Sequence, residues 1–74
     1  MTSDILVFFK TPPTGQVLTQ AKEALMAVDR SVLAHKPDGP GRTLLVKFDP
    51  ARVTPAGLLA ALRAAGLDVS IAGG

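Results

Sequence analysis

Two hydrophobic periods alternate along this chain. Ile5-Leu6-Val7-Phe8-Phe9 is a short β-prone apolar run bounded by polar residues and by Pro12-Pro13, and it predicts a central strand. From Gly15 to about Val28 the spacing changes. Leu18, Ala21, Leu25 and Val28 recur at steps of three, four and three, which places them on one face of a helix. Gln20, Lys22 and Glu23 fall away from that line.

Ser31 to Lys36 reads as a weaker strand and Thr43 to Phe48 as a third. Between them, Pro37-Asp38-Gly39-Pro40-Gly41 is turn chemistry: Pro presets φ, Asp bonds nearby backbone N–H groups and Gly allows φ > 0. Residues 31 to 48 are therefore expected to form a hairpin, ended by Asp49-Pro50. Thr54-Pro55 opens a second helix, with Thr as N-cap and Pro at the first helical position, where a missing N–H costs nothing. Leu58, Leu59, Leu62 and Ala65 mark its buried stripe, and Gly66 is placed to end it in the left-handed conformation. Leu67 to Ala72 predicts a last strand. Gly73-Gly74 is a frayed end or the start of a linker.

The order βαββαβ predicts an α+β fold. With right-handed crossovers it becomes a ferredoxin-like sandwich, a four-stranded antiparallel sheet with two helices on one face. That architecture hosts many unrelated functions, so function has to be argued from particular residues.

Composition sharpens the picture. The chain has 74 residues, enough for a single domain, 1–74, and a domain of this size buries only about 60% of its unfolded surface. Hydrophobic residues make up 47% of it, with three Phe and neither Tyr nor Trp, so the core is expected to be aliphatic. There is no Cys, which excludes disulfides, thiolate metal sites and thiol nucleophiles together. Met1-Thr2-Ser3-Asp4 is polar and acidic, unlike the basic start of a signal peptide. The longest apolar run, Ile5 to Phe9, is far too short to cross a bilayer. A cytoplasmic protein, or a cytosolic part of a larger one, is expected, without direct membrane insertion. The net charge is +2, and the Lys and Arg residues are scattered singly. Nucleic-acid binding, which needs a basic stripe or aromatic stacking platforms, is not expected.

Residues 44 to 71, LLVKFDPARVTPAGLLAALRAAGLDVSI, carry a strand, Phe48-Asp49, a short turn, Thr54 capping a helix, and Ala65-Gly66 before a last strand. This half resembles the heavy-metal-associated domain, the family of small copper chaperones and of the N-terminal domains of copper- and zinc-pumping P-type ATPases. Helix 1, with EALMAV, is also similar. The resemblance implies the ferredoxin-like fold and a setting in metal transport or homeostasis. The family's metal loop, Gly-Met-x-Cys-x-x-Cys, falls on Thr11, Pro12, Thr14 and Val17, and none of these matches. The position after Ala-Gly, often Tyr or a basic residue beside the metal, is Leu67. A soft metal needs anionic sulfur; Thr14 offers a neutral hydroxyl and Val17 no lone pair, so this is a degenerate metal loop.

Other candidate chemistry is sparse. His35 is the only imidazole, and with Asp38 in the adjacent turn it supplies two of the three or four ligands that zinc requires. Met1 and Met26 read as gap-fillers before thioether ligands. Thr14-Gly15 at a helix start could hold an anion, but an N-cap accounts for it more simply. Asp49 is explained by the turn with Pro50. An acylphosphatase-like enzyme would share the topology but requires an Arg–Asn pair, and the chain has no Asn. Neither an enzyme nor a cofactor is expected.

One feature has positive content. Strand residues alternate faces. Setting Val7, Phe9, Val46 and Phe48 toward the helices sends Leu6, Phe8, Leu45 and Lys47 outward. Burying Val32 and Ala34 sends Leu33 and His35 outward. Leu6, Phe8, Leu33 and Leu45 are thus expected to form an apolar patch on the helix-free side, and such patches tend to mark contacts. The expected role is a cysteine-free interaction or regulatory module that binds a protein partner, or a second copy, through this face. Two alternatives stay open: a metal carrier with non-cysteine ligands such as His35, and a regulatory module for a small molecule.

Overall fold

The computed structural model describes residues 2–36 and 41–72. In chain order these form β1 (Ser3–Phe9), α1 (Gly15–Val28), β2 (Leu33–His35), β3 (Thr43–Phe48), α2 (Pro55–Ala64) and β4 (Val69–Ala72). Among the described residues the four strands make one antiparallel sheet, ordered β2-β3-β1-β4, so β1 is central as expected. The fold is the ferredoxin-like α+β arrangement.

The sheet divides its residues by parity. Ile5, Val7 and Phe9 of β1, Leu44, Val46 and Phe48 of β3 and Val69 of β4 turn to the covered side. They meet Ala21 and Leu25 of α1 and Leu58 and Leu62 of α2 in one core. Among the described residues no buried side chain is polar or charged. Stability therefore rests on apolar packing, at about 1.5–3 kcal/mol for each large aliphatic side chain fully buried.

The helix ends follow the sequence. The Thr14 hydroxyl accepts from the Val17 N–H at 3.2 Å, and the Thr54 hydroxyl accepts from the Gly57 N–H at 3.0 Å. Val53, just before the second cap, is buried with Leu58 in the core, the arrangement of a hydrophobic staple. Gly66 has φ +86. Its N–H donates to the Arg63 carbonyl, and the Leu67 N–H donates to the Leu62 carbonyl. This is a Schellman motif, with Leu67 packed against the core beside the helix end.

That motif corrects the expected last strand. Leu67 is occupied in closing α2, so β4 begins at Val69. Ala65 is the C-cap and is exposed, outside the buried stripe. The hairpin is also shorter than expected on its first side. Val32 donates its N–H to the Asp29 carbonyl and Ser31 donates its hydroxyl to the Asp29 carboxylate. These bonds turn the chain out of α1 and leave only Leu33–His35 for β2. Of the turn expected at 37–41, residues 37–40 lie outside the described residues.

Two helix positions differ as well. Val28 is 40% exposed: it is the last residue of α1, the backbone turns extended at Asp29, and Val32 is buried in its place. Met26 is 52% exposed and fills no gap, because it lies one residue, about 100° of helix, past buried Leu25.

Candidate functional site

The open face of the sheet is built by the residues that alternate with the core. Cross-strand register fixes their rows. His35, Leu45, Leu6 and Ala72 form a row across all four strands. On one side of it Thr43, Phe8 and Ser70 form a second row, and on the other Leu33, Lys47 and Asp4 a third.

Leu6 and Leu45 therefore stand directly opposite one another at the centre of the sheet. Phe8 is next along β1 and diagonal to Leu45, within reach of an aromatic side chain. Leu6 and Phe8 are each 36% exposed and Leu45 is half-buried by its neighbours. Leu33 also lies on this face, but on the edge strand beside Lys47, and is 64% exposed. The structure thus brings Leu6, Phe8 and Leu45 together as a band and leaves Leu33 at its margin, diagonal to Leu45.

The degenerate loop has structural work. Thr14 caps α1 and Val17 packs partly buried against the core. With Phe9, Pro13, Leu67 and Asp68 they line an open cleft of about 240 Å³, so Leu67 does stand beside the loop. Lys10 and Asp68 form an ion pair at its rim at 3.8 Å; both are well exposed, and a pair of that kind contributes little. Asp49 behaves as a turn residue, its carboxylate accepting from the Ala51 N–H at 2.9 Å.

His35 is exposed on edge strand β2, opposite Leu45, and Asp38 lies outside the described residues. Among the described residues no three His, Asp or Glu side chains gather at one point. Among the described residues no helix is long and apolar enough to cross a membrane.

Two features were not visible in the sequence. Asp29 and Arg52, 23 residues apart, form a forked ion pair with its shortest contact at 3.0 Å, and Ser31 donates to the same carboxylate. These donors, Ser31 first and Arg52 second, hold the Asp29 carboxyl below its ordinary range. The cluster ties the end of α1 to the loop before α2. The second feature is a small groove of about 120 Å³ where Met26 and Lys22 of α1 meet Leu33 of β2. The only available signal for it was the position of Met26 off the buried stripe.

Comparison with known proteins adds no relative: no family model, no curated protein and no solved structure matches the chain.

Proposed function

We propose that this chain is a protein-interaction or regulatory module acting through the open face of its sheet, with no catalysis and no thiolate metal site of its own. The observation that carries the reading is the band of Leu45, Leu6 and Phe8 at the centre of a sheet face that neither α1 nor α2 covers. A domain this small has little apolar surface to spare, and leaving a Phe and two Leu off the core forgoes stabilisation that burial would supply. A partner that covers the band recovers it. Aromatic anchors at the centre of such surfaces commonly carry much of the binding energy.

The setting in metal transport or homeostasis rests on the resemblance of residues 44–71 to heavy-metal-associated domains, and the cytoplasmic location on the lack of Cys and the shortness of every apolar run. Thr14 and Val17 already serve the cap and the core, which fits a member of that kind whose loop has been given over to structure.

The test is capture on immobilised wild-type chain and on Phe8→Glu, compared by quantitative mass spectrometry. The variant places a charge where water would be excluded, which is costly if unpaired. The expected result is a protein retained by wild type and lost from Phe8→Glu, with unchanged circular dichroism. Retention that does not depend on Phe8 would overturn the reading.

A further inference from the structure

Resting on the reading of the open face as a contact surface, we propose that its occupant is a second copy of this chain. The two copies dock face to face about a two-fold axis that runs along the strands between β1 and β3.

Charge and strand register point to this occupant. Within the strands, and apart from the imidazole of His35 on edge strand β2, the open face carries one acid, Asp4, and one lysine or arginine, Lys47, and the two stand directly opposite each other on β1 and β3. They do not pair with each other: the ion pairs found among the described residues are Lys10–Asp68 and Arg52–Asp29. Lys10 and Asp68, just beyond the strand ends, satisfy one another; Asp4 and Lys47 remain exposed.

A two-fold axis midway between β1 and β3 lays β1 of each copy over β3 of the other. The register then dictates the contacts. Leu6 of each copy faces Leu45 of its mate, and Asp4 faces Lys47, each twice. This is the self-complementarity an isologous interface requires. Aligned sheets pack at about 30° to one another; with that rotation centred on the Leu6–Leu45 row, this row stays in place, while the charged row, two residues along each strand, shifts by an amount that a lysine stem can span. A net charge of +2 offers little repulsion between copies.

Area sets the strength. Strands of 7, 3, 6 and 4 residues, at about 3.3 Å per residue and about 4.8 Å apart, give a footprint on the order of 300 Å² per copy. That falls short of the roughly 800 Å² per partner of a standard stable interface. The dimer is therefore weak and reversible, with a micromolar or higher dissociation constant.

The experiment exchanges the charges. Sedimentation velocity across a concentration series compares wild type, Asp4→Lys, Lys47→Asp, an equimolar mixture of these two variants, and the double variant. Wild type is expected to dimerise with rising concentration. Each single variant should weaken self-association at least tenfold, because it opposes like charges twice. The mixture and the double variant should recover it, because every cross-copy pair is again opposite in sign. A second measurement does not depend on the charges. A short bismaleimide added to mixed Leu6→Cys and Leu45→Cys chains should give the mixed product over either self-linked product, since the natural chain has no Cys. Monomeric wild type at every concentration, single variants that dimerise normally, or a mixture that fails to recover would each overturn the proposal. If wild type stays monomeric while a foreign protein binds it and not Phe8→Glu, the second copy is refuted and the contact surface stands. If neither occurs, both fall.

Discussion

The two faces of the sheet are made from the same strands and nearly the same residue types, yet they have different consequences. On the covered face Val7, Leu44 and Val46 are wholly buried between sheet and helices. One residue along, Leu6, Phe8 and Leu45 carry side chains as large or larger and keep partial contact with solvent. Asp4 and Lys47 stand among them, and no buried charge is found among the described residues of the covered side. Hydrophobicity alone does not separate a core from a contact surface; parity within the strand does, because successive side chains point to opposite faces. The covered face should set stability, and the open face should set association.

The largest test of this contrast is a pair of truncations. Leu58→Ala in α2 removes a fully buried side chain and should cost about 2–5 kcal/mol through lost burial and a residual cavity. Phe8→Ala should cost about 1 kcal/mol or less, the range in which strand preferences vary. Denaturant unfolding of both measures the ratio. Equal losses would mean that the open face is part of the core, and unfolding of Phe8→Glu would mean a register slip of one residue, which exchanges the faces.

Gly66→Ala comes next. The left-handed φ at this position disfavours any Cβ, so a loss of about 1–2 kcal/mol is expected. Nothing lies within 4 Å of the added carbon, so the loss would report backbone conformation and not a clash. Thermal unfolding should show it without any change in self-association, since the cap serves the covered side.

A smaller, pH-dependent effect belongs to Asp29. Its carboxyl is held low first by Ser31 and then by Arg52, so its folded value lies below the value of about 3.9 in an unfolded chain. A lowered folded value means a contribution that is fully present above about pH 4 and is lost as pH falls through the folded value. Arg52→Ala should raise the pH of the acid-unfolding midpoint, and should change neutral-pH stability at least as much as stability at pH 2. Acid titration followed by circular dichroism checks this. An unchanged midpoint would show that the cluster does not couple to folding.

The smallest expected effect is none. If the covered face alone carries stability, EDTA should not move the thermal midpoint. Small domains that depend on ligation unfold when chelated. Calorimetric titration with Cu(I) or Zn(II) should show only weak surface association. Submicromolar binding that vanishes in His35→Ala would instead favour a metal carrier.

The features that were legible in advance are local ones. Thr14, Thr54-Pro55 and Gly66 act within a turn or two of themselves, and their roles follow from hydroxyl reach, a missing N–H and a missing Cβ. The alternation that separates Val7 from Phe8 needs only the geometry of an extended chain. For the same reason Leu6, Phe8, Leu33 and Leu45 could be assigned to the open face from β1, β2 and β3 taken one at a time; the separation of Leu33 from the other three could not.

What remained hidden depends on which distant segments meet. Ser31 carries a strand-like pattern, but Asp29 claims it and Val32 for a turn, which shortens β2 to three residues. Leu67 has the character of a strand residue and is used to close α2. Val28 continued the helical period and is nonetheless exposed, since periodicity gives direction but not what lies there. The pairing of Arg52 with Asp29, and the facing of Asp4 with Lys47 across 43 residues of chain, are set by docking and strand register. The order of elements, their caps and the face each strand residue takes follow from local residue patterns, because bond geometry and local hydrogen bonding suffice for these. Where strands stop and which charges meet emerge only in the folded chain, because those depend on non-local pairing that no short window of residues encodes.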